Sequence, residues 1–180
     1  NGSAELGAGF DPLLVALAGF PKPLLAAVNG VAVGFGATIL LHCDVVVVDE
    51  EARIRLPFVA LGTCAEAASS WLLPQRVGLQ QASWTILSGE PLDADAAVAT
   101  GFALAKAPAG RALADALELG HKLAAQPLPA LMANKRLLRH GWAETIDEVW
   151  RREKDAMVGM AKELGPVSYT HLRAHETGRN

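Results

Sequence analysis

Glu66 is the residue best placed for chemistry, because between positions 57 and 74 it stands as the only ionisable acid or base apart from Cys64. Uncharged neighbours desolvate a carboxyl, raise its pKa and suit it to take up and return a proton near neutral pH. A second feature lies between Pro21 and Asp44, where Gly30, Gly34 and Gly36 interrupt an apolar run. Residues 24–33 have the length and character of a buried strand, and residues 37–42 suit a buried helix. The turn between them leaves backbone N–H groups around Gly34 to Gly36 without carbonyl partners, and such donors at a helix start can hold a phosphate or a developing oxyanion. The spacing GxxxGxG is not the GxGxxG of a dinucleotide fold, and without a Lys-Ser or Lys-Thr pair it is no phosphate loop. Both features also have structural readings. The glycines suit a tight turn in a core, and a first-turn glutamate favours the positive end of a helix by a few tenths to about 1 kcal/mol.

The residues that join these features, FPKPLLAAVNGVAVGFGATILLHCDVVVVDEEARIRLPFVALG, resemble the central segment of the crotonase (enoyl-CoA hydratase/isomerase) superfamily. The likeness continues through LPQRVG at 73–78, SGEPLDADAAVATGFA at 88–103 and QPLPALMANKRLLR at 126–139, covering about residues 20 to 164. It implies an α/β fold, part of a crotonase-like spiral of ββα units followed by a C-terminal helical region. It also implies acyl-coenzyme A thioester substrates, a homotrimer or hexamer, and a thioester oxyanion held by two backbone N–H groups. One of those donors maps onto Phe35, between Gly34 and Gly36. The family more often has glycine there, but the donor is a backbone group, and the Δ3,Δ2-enoyl-CoA isomerase branch carries a bulky apolar residue.

Departures from the family pattern narrow the implied chemistry. Hydratases of the family carry two glutamates that activate water, and those positions fall here on Thr38 and Phe58. Neither side chain is a useful general base, so hydration by that route is disfavoured and the pocket should be drier. The segment LGTCAEAASS resembles instead the peroxisomal-type isomerases, whose catalytic glutamate follows the glycine of an LG pair by four residues, as Glu66 follows Leu61 and Gly62. The implied reaction removes a proton from C2 of a 3-enoyl thioester and returns it at C4 through one carboxyl, with Gly34, Gly36, Thr38, Phe58, Leu61 and Gly62 bordering the substrate. It requires no metal or redox cofactor, since coenzyme A enters as part of the substrate. Two alternatives stay open: an acyl-CoA-binding homologue without chemistry, and another crotonase reaction such as hydration or thioester hydrolysis.

The elements that must position these groups divide into a partial spiral core over residues 1–109, a helical trimerisation region over 110–164, and a tail at 165–180 that loses the Ala-Leu character and reads as vector or read-through sequence. His171 and His175 in that tail have i, i+4 spacing but lack a third ligand, so they do not read as a metal site. Family members have a further segment ahead of the Pro21 region, bearing the first oxyanion donor, so an N-terminally truncated chain is expected. Residues 111–125, 129–140 and 142–164 read as helices separated by Gln126-Pro127 and Gly141, the last with an apolar stripe of Ile146, Val149, Trp150, Met157 and Met160. Lys135 and Arg136 suit a solvated helix face, or an approach to coenzyme A phosphates that the resemblance implies.

Half of the 180 residues are hydrophobic and the net charge is −3, with no grouping of basic and aromatic residues that would suit nucleic acid. The apolar run at 24–41 contains Asn29 and three glycines and reads as strand plus helix rather than a membrane span, so a cytoplasmic enzyme is expected. Cys43 and Cys64 suit reduced, small core residues. His42 beside Cys43 lacks an orienting acid for thiol catalysis.

Overall fold

The computed structural model describes residues 10–164. Residues 1–9 and the 165–180 tail, with His171 and His175, lie outside the described residues. In chain order the elements are α1 (Phe10–Ala18), β1 (Leu25–Val28), β2 (Val31–Val33), α2 (Phe35–Thr38) running into a 3-10 turn (Ile39–His42), β3 (Val45–Asp49) and β4 (Arg53–Arg55). A second 3-10 turn (Val59–Leu61) leads to α3 (Ser69–Val77), α4 (Leu79–Ser88), β5 (Leu92–Asp93), α5 (Ala94–Ala99) and β6 (Ala105–Ala107). The helices α6 (Ala112–Ala124), α7 (Leu128–Leu138) and α8 (Trp142–Leu164) follow.

Two small sheets share the chain. One has the order β1-β3-β6, all parallel, with Leu25 opposite Val45 and Val47 opposite Ala105. The other has the order β2-β4-β5, with β2 parallel to β4 (Val31 opposite Arg53) and β5 antiparallel (Ile54 opposite Leu92). From β1 to β4 successive strands therefore alternate between the sheets, a ββα spiral, and this corrects the single strand expected over 24–33. β1 pairs with β3 and β2 with β4, so the chain must bend between them at Asn29-Gly30. The Gly30 carbonyl is held there by the Arg53 N–H at 3.2 Å.

The helix expected over 37–42 is also corrected. Its first turn, from Phe35, is α and the remainder is the tighter 3-10 form, which leaves carbonyls short of helical partners. The largely buried Arg76 guanidinium supplies donors to the carbonyls of Leu40 (3.3 Å), Leu41 (3.1 Å) and Cys43 (2.6 Å). Beneath these elements Leu41, Val48, Ile54, Leu56, Leu73 and Phe102 form part of one buried cluster. Each such side chain contributes about 1.5–3 kcal/mol of hydrophobic stabilisation.

The three C-terminal helices match the expected spans closely. Ala112 and Ala116 of α6 are buried in a cluster with Val47 of β3. The α8 stripe buries Ile146, Val149 and Trp150, while Met157 and Met160 are half-buried. Trp150 donates its indole N–H to Asp11 on α1 at 2.7 Å, which fixes α8 against the first helix.

Lys135 departs from both expectations. It is 8% exposed and donates to Asp44 Oδ2 and to the Lys22 carbonyl, each at 2.7 Å, while Arg139 reaches Asp44 Oδ1 at 2.8 Å. A lysine committed in this way lies neither on a solvated face nor free to meet a phosphate, because its buried charge is compensated by Asp44 and the Lys22 carbonyl. Arg136, one residue on, is exposed.

Candidate active site

Gly34 turns the chain from β2 into α2 at φ 56°, a conformation that side-chain-bearing residues rarely adopt. Its N–H donates to the Arg55 carbonyl at 3.1 Å, and its own carbonyl accepts the Ala37 and Thr38 N–H groups, each at 2.9 Å. The N–H groups of Phe35 and Gly36, between these, donate to no carbonyl among the described residues. The backbone at Gly36 is exposed. The Phe35 ring meets Phe10 edge-on at 4.8 Å, and Phe10 in turn lies 5.1 Å from the Trp150 ring. This cluster, which also holds Leu14 and Ala67, anchors the turn through the side chain and leaves its amide available.

Glu66 sits on the irregular segment between the second 3-10 turn and α3. Gly62 ends that turn in the left-handed region at φ 67°, while the Thr63 N–H reaches back to the Phe58 carbonyl at 2.9 Å. Glu66 was expected to open the helix, but α3 begins only at Ser69. Ala67 and Ala68 intervene at φ 54° and 59°. Left-handed geometry costs an alanine about 1–2 kcal/mol, so tertiary contacts must hold the segment. The Ser69 N–H donates to the Glu66 carbonyl at 2.9 Å, and His42 Nε2 donates to the Ala67 carbonyl at 2.9 Å. Glu153 on α8 accepts the Ala68 N–H at 2.7 Å on Oε2 and the Ser70 N–H at 2.9 Å on Oε1.

The Glu66 carboxyl is half-buried, and desolvation raises its pKa above the ordinary carboxylate value. The nearby Glu153 charge raises it further, and a hydrogen bond with the Thr38 side chain works in the opposite direction. Burial also raises the pKa of Glu153, whose hydrogen bonds from Ser70 and Ala68 work against that rise. The site therefore joins a carboxyl that holds its proton more tightly than usual to a turn with available amides, on two segments that share the cluster of Phe35, Leu14, Ala67 and Trp150.

Thr38 and Phe58 are both buried, at 0% and 3% exposure. The Thr38 hydroxyl donates to the Phe35 carbonyl at 3.3 Å, so it serves the local scaffold, while Phe58 joins the main core. Leu61 and Gly62 lie half-buried on the loop that leads to Glu66. Cys43 and Cys64 are free thiols, and burial pushes the pKa of each up, away from the reactive thiolate. His42 is buried, and desolvation lowers its pKa, which suits its role as a neutral donor to Ala67.

Glu153 is the site residue that the sequence reading missed. Counting along α8, it falls three residues after Trp150 and four before Met157, on the same face as Ile146 and Val149. A carboxylate in an apolar stripe was the available signal, since a buried charge requires partners.

A groove of about 320 Å³ bordered by Phe20, Met132, Lys135, Arg136, Arg139 and His140 does not include Glu66, and its two least exposed cations are already paired with Asp44. Among the described residues no cluster of three metal-ligating side chains occurs, and no helix is long and apolar enough to cross a membrane.

The fold coincides with a known class. The enoyl-CoA hydratase/isomerase family model matches residues 1–165, and the chain belongs to that family. It is similar to a 2,3-dehydroadipyl-CoA hydratase of Escherichia coli K12, 42% identical over 123 residues that span 68% of this chain and 48% of the relative. A 1,2-epoxyphenylacetyl-CoA isomerase of the same organism is 35% identical over 147 residues, 81% of this chain and 56% of the relative. A crystal structure of an enoyl-CoA hydratase/isomerase from Pseudoalteromonas atlantica T6c superimposes with a TM-score of 0.82 at 32% identity, covering 93% of this chain and 66% of that one. The chain spans about half the length of the curated relatives it matches.

Proposed function

We propose that the protein moves the double bond of a 3-enoyl-CoA thioester to the 2-position, with Glu66 as its single acid-base group. The observation that carries this reading is the environment of Glu66: a half-buried carboxyl of raised pKa, held beside a turn whose Phe35 and Gly36 amides lack carbonyl partners among the described residues. The Glu66 carboxylate takes a proton from C2, and the electron pair moves through the thioester to give a dienolate oxyanion. The Phe35 N–H donates to that oxyanion. The protonated Glu66 then delivers the proton to C4 as the double bond settles between C2 and C3. Preorganised donors commonly contribute about 10²–10³ in rate each, and a positioned base about 10²–10⁴.

The identity to a relative named a hydratase raises hydration as the competing reaction. Addition of water by paired carboxylates needs a second free carboxyl near the first. Thr38 and Phe58 provide none, and Glu153 has both oxygens occupied by backbone N–H groups. Geometry thus favours proton transfer within the substrate. Soluble, cytoplasmic action and assembly as a homotrimer or hexamer complete the proposal, as the family resemblance implies. The test is product analysis with 3-octenoyl-CoA and 2-octenoyl-CoA, using this chain and a version extended N-terminally to the length of its relatives. Conjugated 2-enoyl thioester from the former supports the reading. A 3-hydroxyacyl product from the latter, without isomerisation of the former, overturns it.

A further inference from the structure

The segment that carries Glu66 contains two consecutive alanines in left-handed backbone geometry, an arrangement that local sequence disfavours, since alanine prefers the right-handed helix. Something outside the segment must therefore fix it. The Ala68 and Ser70 N–H groups are among the orphan donors at the start of α3, and no side chain of the helix's own N-cap residue satisfies them. Both point instead at one carboxylate, Glu153, from a helix that begins far along the chain. Glu153 is only 5% exposed and accepts through both oxygens, so its burial is compensated only while the segment keeps this shape.

We propose that Glu153 is a positioning residue: it clamps the left-handed Ala67-Ala68 corner and seats a second carboxyl against the segment that carries Glu66, so that α8 sets the location and surroundings of the proton-shuttling carboxyl. This rests on the reading of Glu66 as the base. Burial raises the pKa of both neighbouring carboxyls, and the Glu153 charge raises that of Glu66 further, so the two titrate as a coupled pair. The other groups facing the pair are few. The Thr38 hydroxyl favours the ionised form of Glu66, and His42 donates to the adjacent Ala67 carbonyl as a neutral ring. Cys64 lies on the same loop with its thiol against the Glu153 carbonyl at 3.6 Å, and Arg152 on α8 is the cation near Glu153. None supplies a carboxylate or a second cap for Ala68 and Ser70.

The first measurement is a carbon-13 NMR titration of the glutamate carboxyls in the wild-type chain, with Glu66 assigned by its loss in Glu66→Gln. A shared titration is expected, the Glu66 signal responding at both steps and ending above the ordinary carboxylate range. In Glu153→Gln, which keeps the shape but removes the charge and one acceptor oxygen, the Glu66 midpoint moves to lower pH. The acid limb of kcat/KM moves with it, and kcat falls about tenfold with little change in KM, since orientation and base strength both decline. Independent, unshifted Glu66 titration in the wild type overturns the inference even if Glu153→Gln fails to fold, and so does a folded Glu153→Gln with the wild-type Glu66 midpoint. Failure of the isomerase reading looks different: the midpoint shifts in Glu153→Gln, yet Glu66→Gln leaves turnover unchanged.

Discussion

Replacing Asp44 with asparagine should unfold this protein far more easily than a partly exposed side chain would suggest. Its carboxylate accepts the Leu24 N–H and Lys135 Nζ at 2.7 Å each on Oδ2, and Arg139 at 2.8 Å on Oδ1. Lys135 and Arg139 retain 8% and 10% side-chain exposure, against 21% for Asp44, so the cations are the more deeply desolvated partners. Removing one member of a buried pair leaves the other charge uncompensated and costs about 3–5 kcal/mol. With a urea m-value of about 2 kcal/mol/M, the unfolding midpoint should fall by about 1.5–2.5 M. Tryptophan fluorescence reads the transition, because the Trp142 ring lies 4.7 Å from the Arg139 guanidinium and 5.5 Å from Trp71. Molar salt should restore little, since screening acts weakly on buried pairs. A fall below about 0.5 M, or recovery in salt, would show that the triad behaves as an ordinary surface pair and refute the burial argument. The consequence would reach the site, because Arg139 also donates to the His42 carbonyl at 2.8 Å and His42 holds Ala67 beside Glu66.

Three further outcomes are expected. Gly34→Ala should lower stability by about 1–2 kcal/mol in thermal unfolding, entirely through the positive φ, because a Cβ there would meet nothing within 4 Å; a neutral effect would show that the turn relaxes freely. Thr38→Val removes the hydroxyl that favours ionised Glu66, so the acid limb of any Glu66-dependent rate should move to higher pH. A shift to lower pH would contradict that role. Glu66→Gln should be more stable than wild type at pH 8, with the difference vanishing toward pH 4. The folded pKa of Glu66 is raised, so wild type loses stability as pH rises through it, and an amide has no such loss. Equal destabilisation by Glu66→Gln at every pH would show that the carboxyl is not desolvated.

Much of this site was legible because its signals are local. Glycines at 30, 34 and 36 mark a bend and a positive-φ turn whatever surrounds them, and the missing charges around Glu66 announce a desolvated carboxyl. The errors arose where distant residues override local preference. Ala67 and Ala68 read as helix formers, yet Glu153 caps the chain at Ala68 and Ser70 and His42 holds Ala67, which delays α3 to Ser69. Residues 24–33 read as one strand because both halves are apolar, and only pairing with β3 and β4 in different sheets divides them. Lys135 read as a surface residue because nothing nearby in the sequence announces Asp44, its partner 91 positions earlier. Glu153 could have been found from helical spacing alone, as the acid within the apolar stripe of α8, but its partners could not.

The account depends most directly on Glu66 as the base. The decisive measurement is the conversion of 3-octenoyl-CoA to the conjugated 2-enoyl thioester by Glu66→Gln beside wild type, in the version extended to the length of its relatives, with thioester binding measured in parallel. Loss of about 10²-fold or more in turnover, with binding nearly unchanged, is the predicted result, because the amide keeps the shape of the carboxyl without its basicity. Equal turnover in the two proteins would contradict it and remove Glu66 from the chemistry.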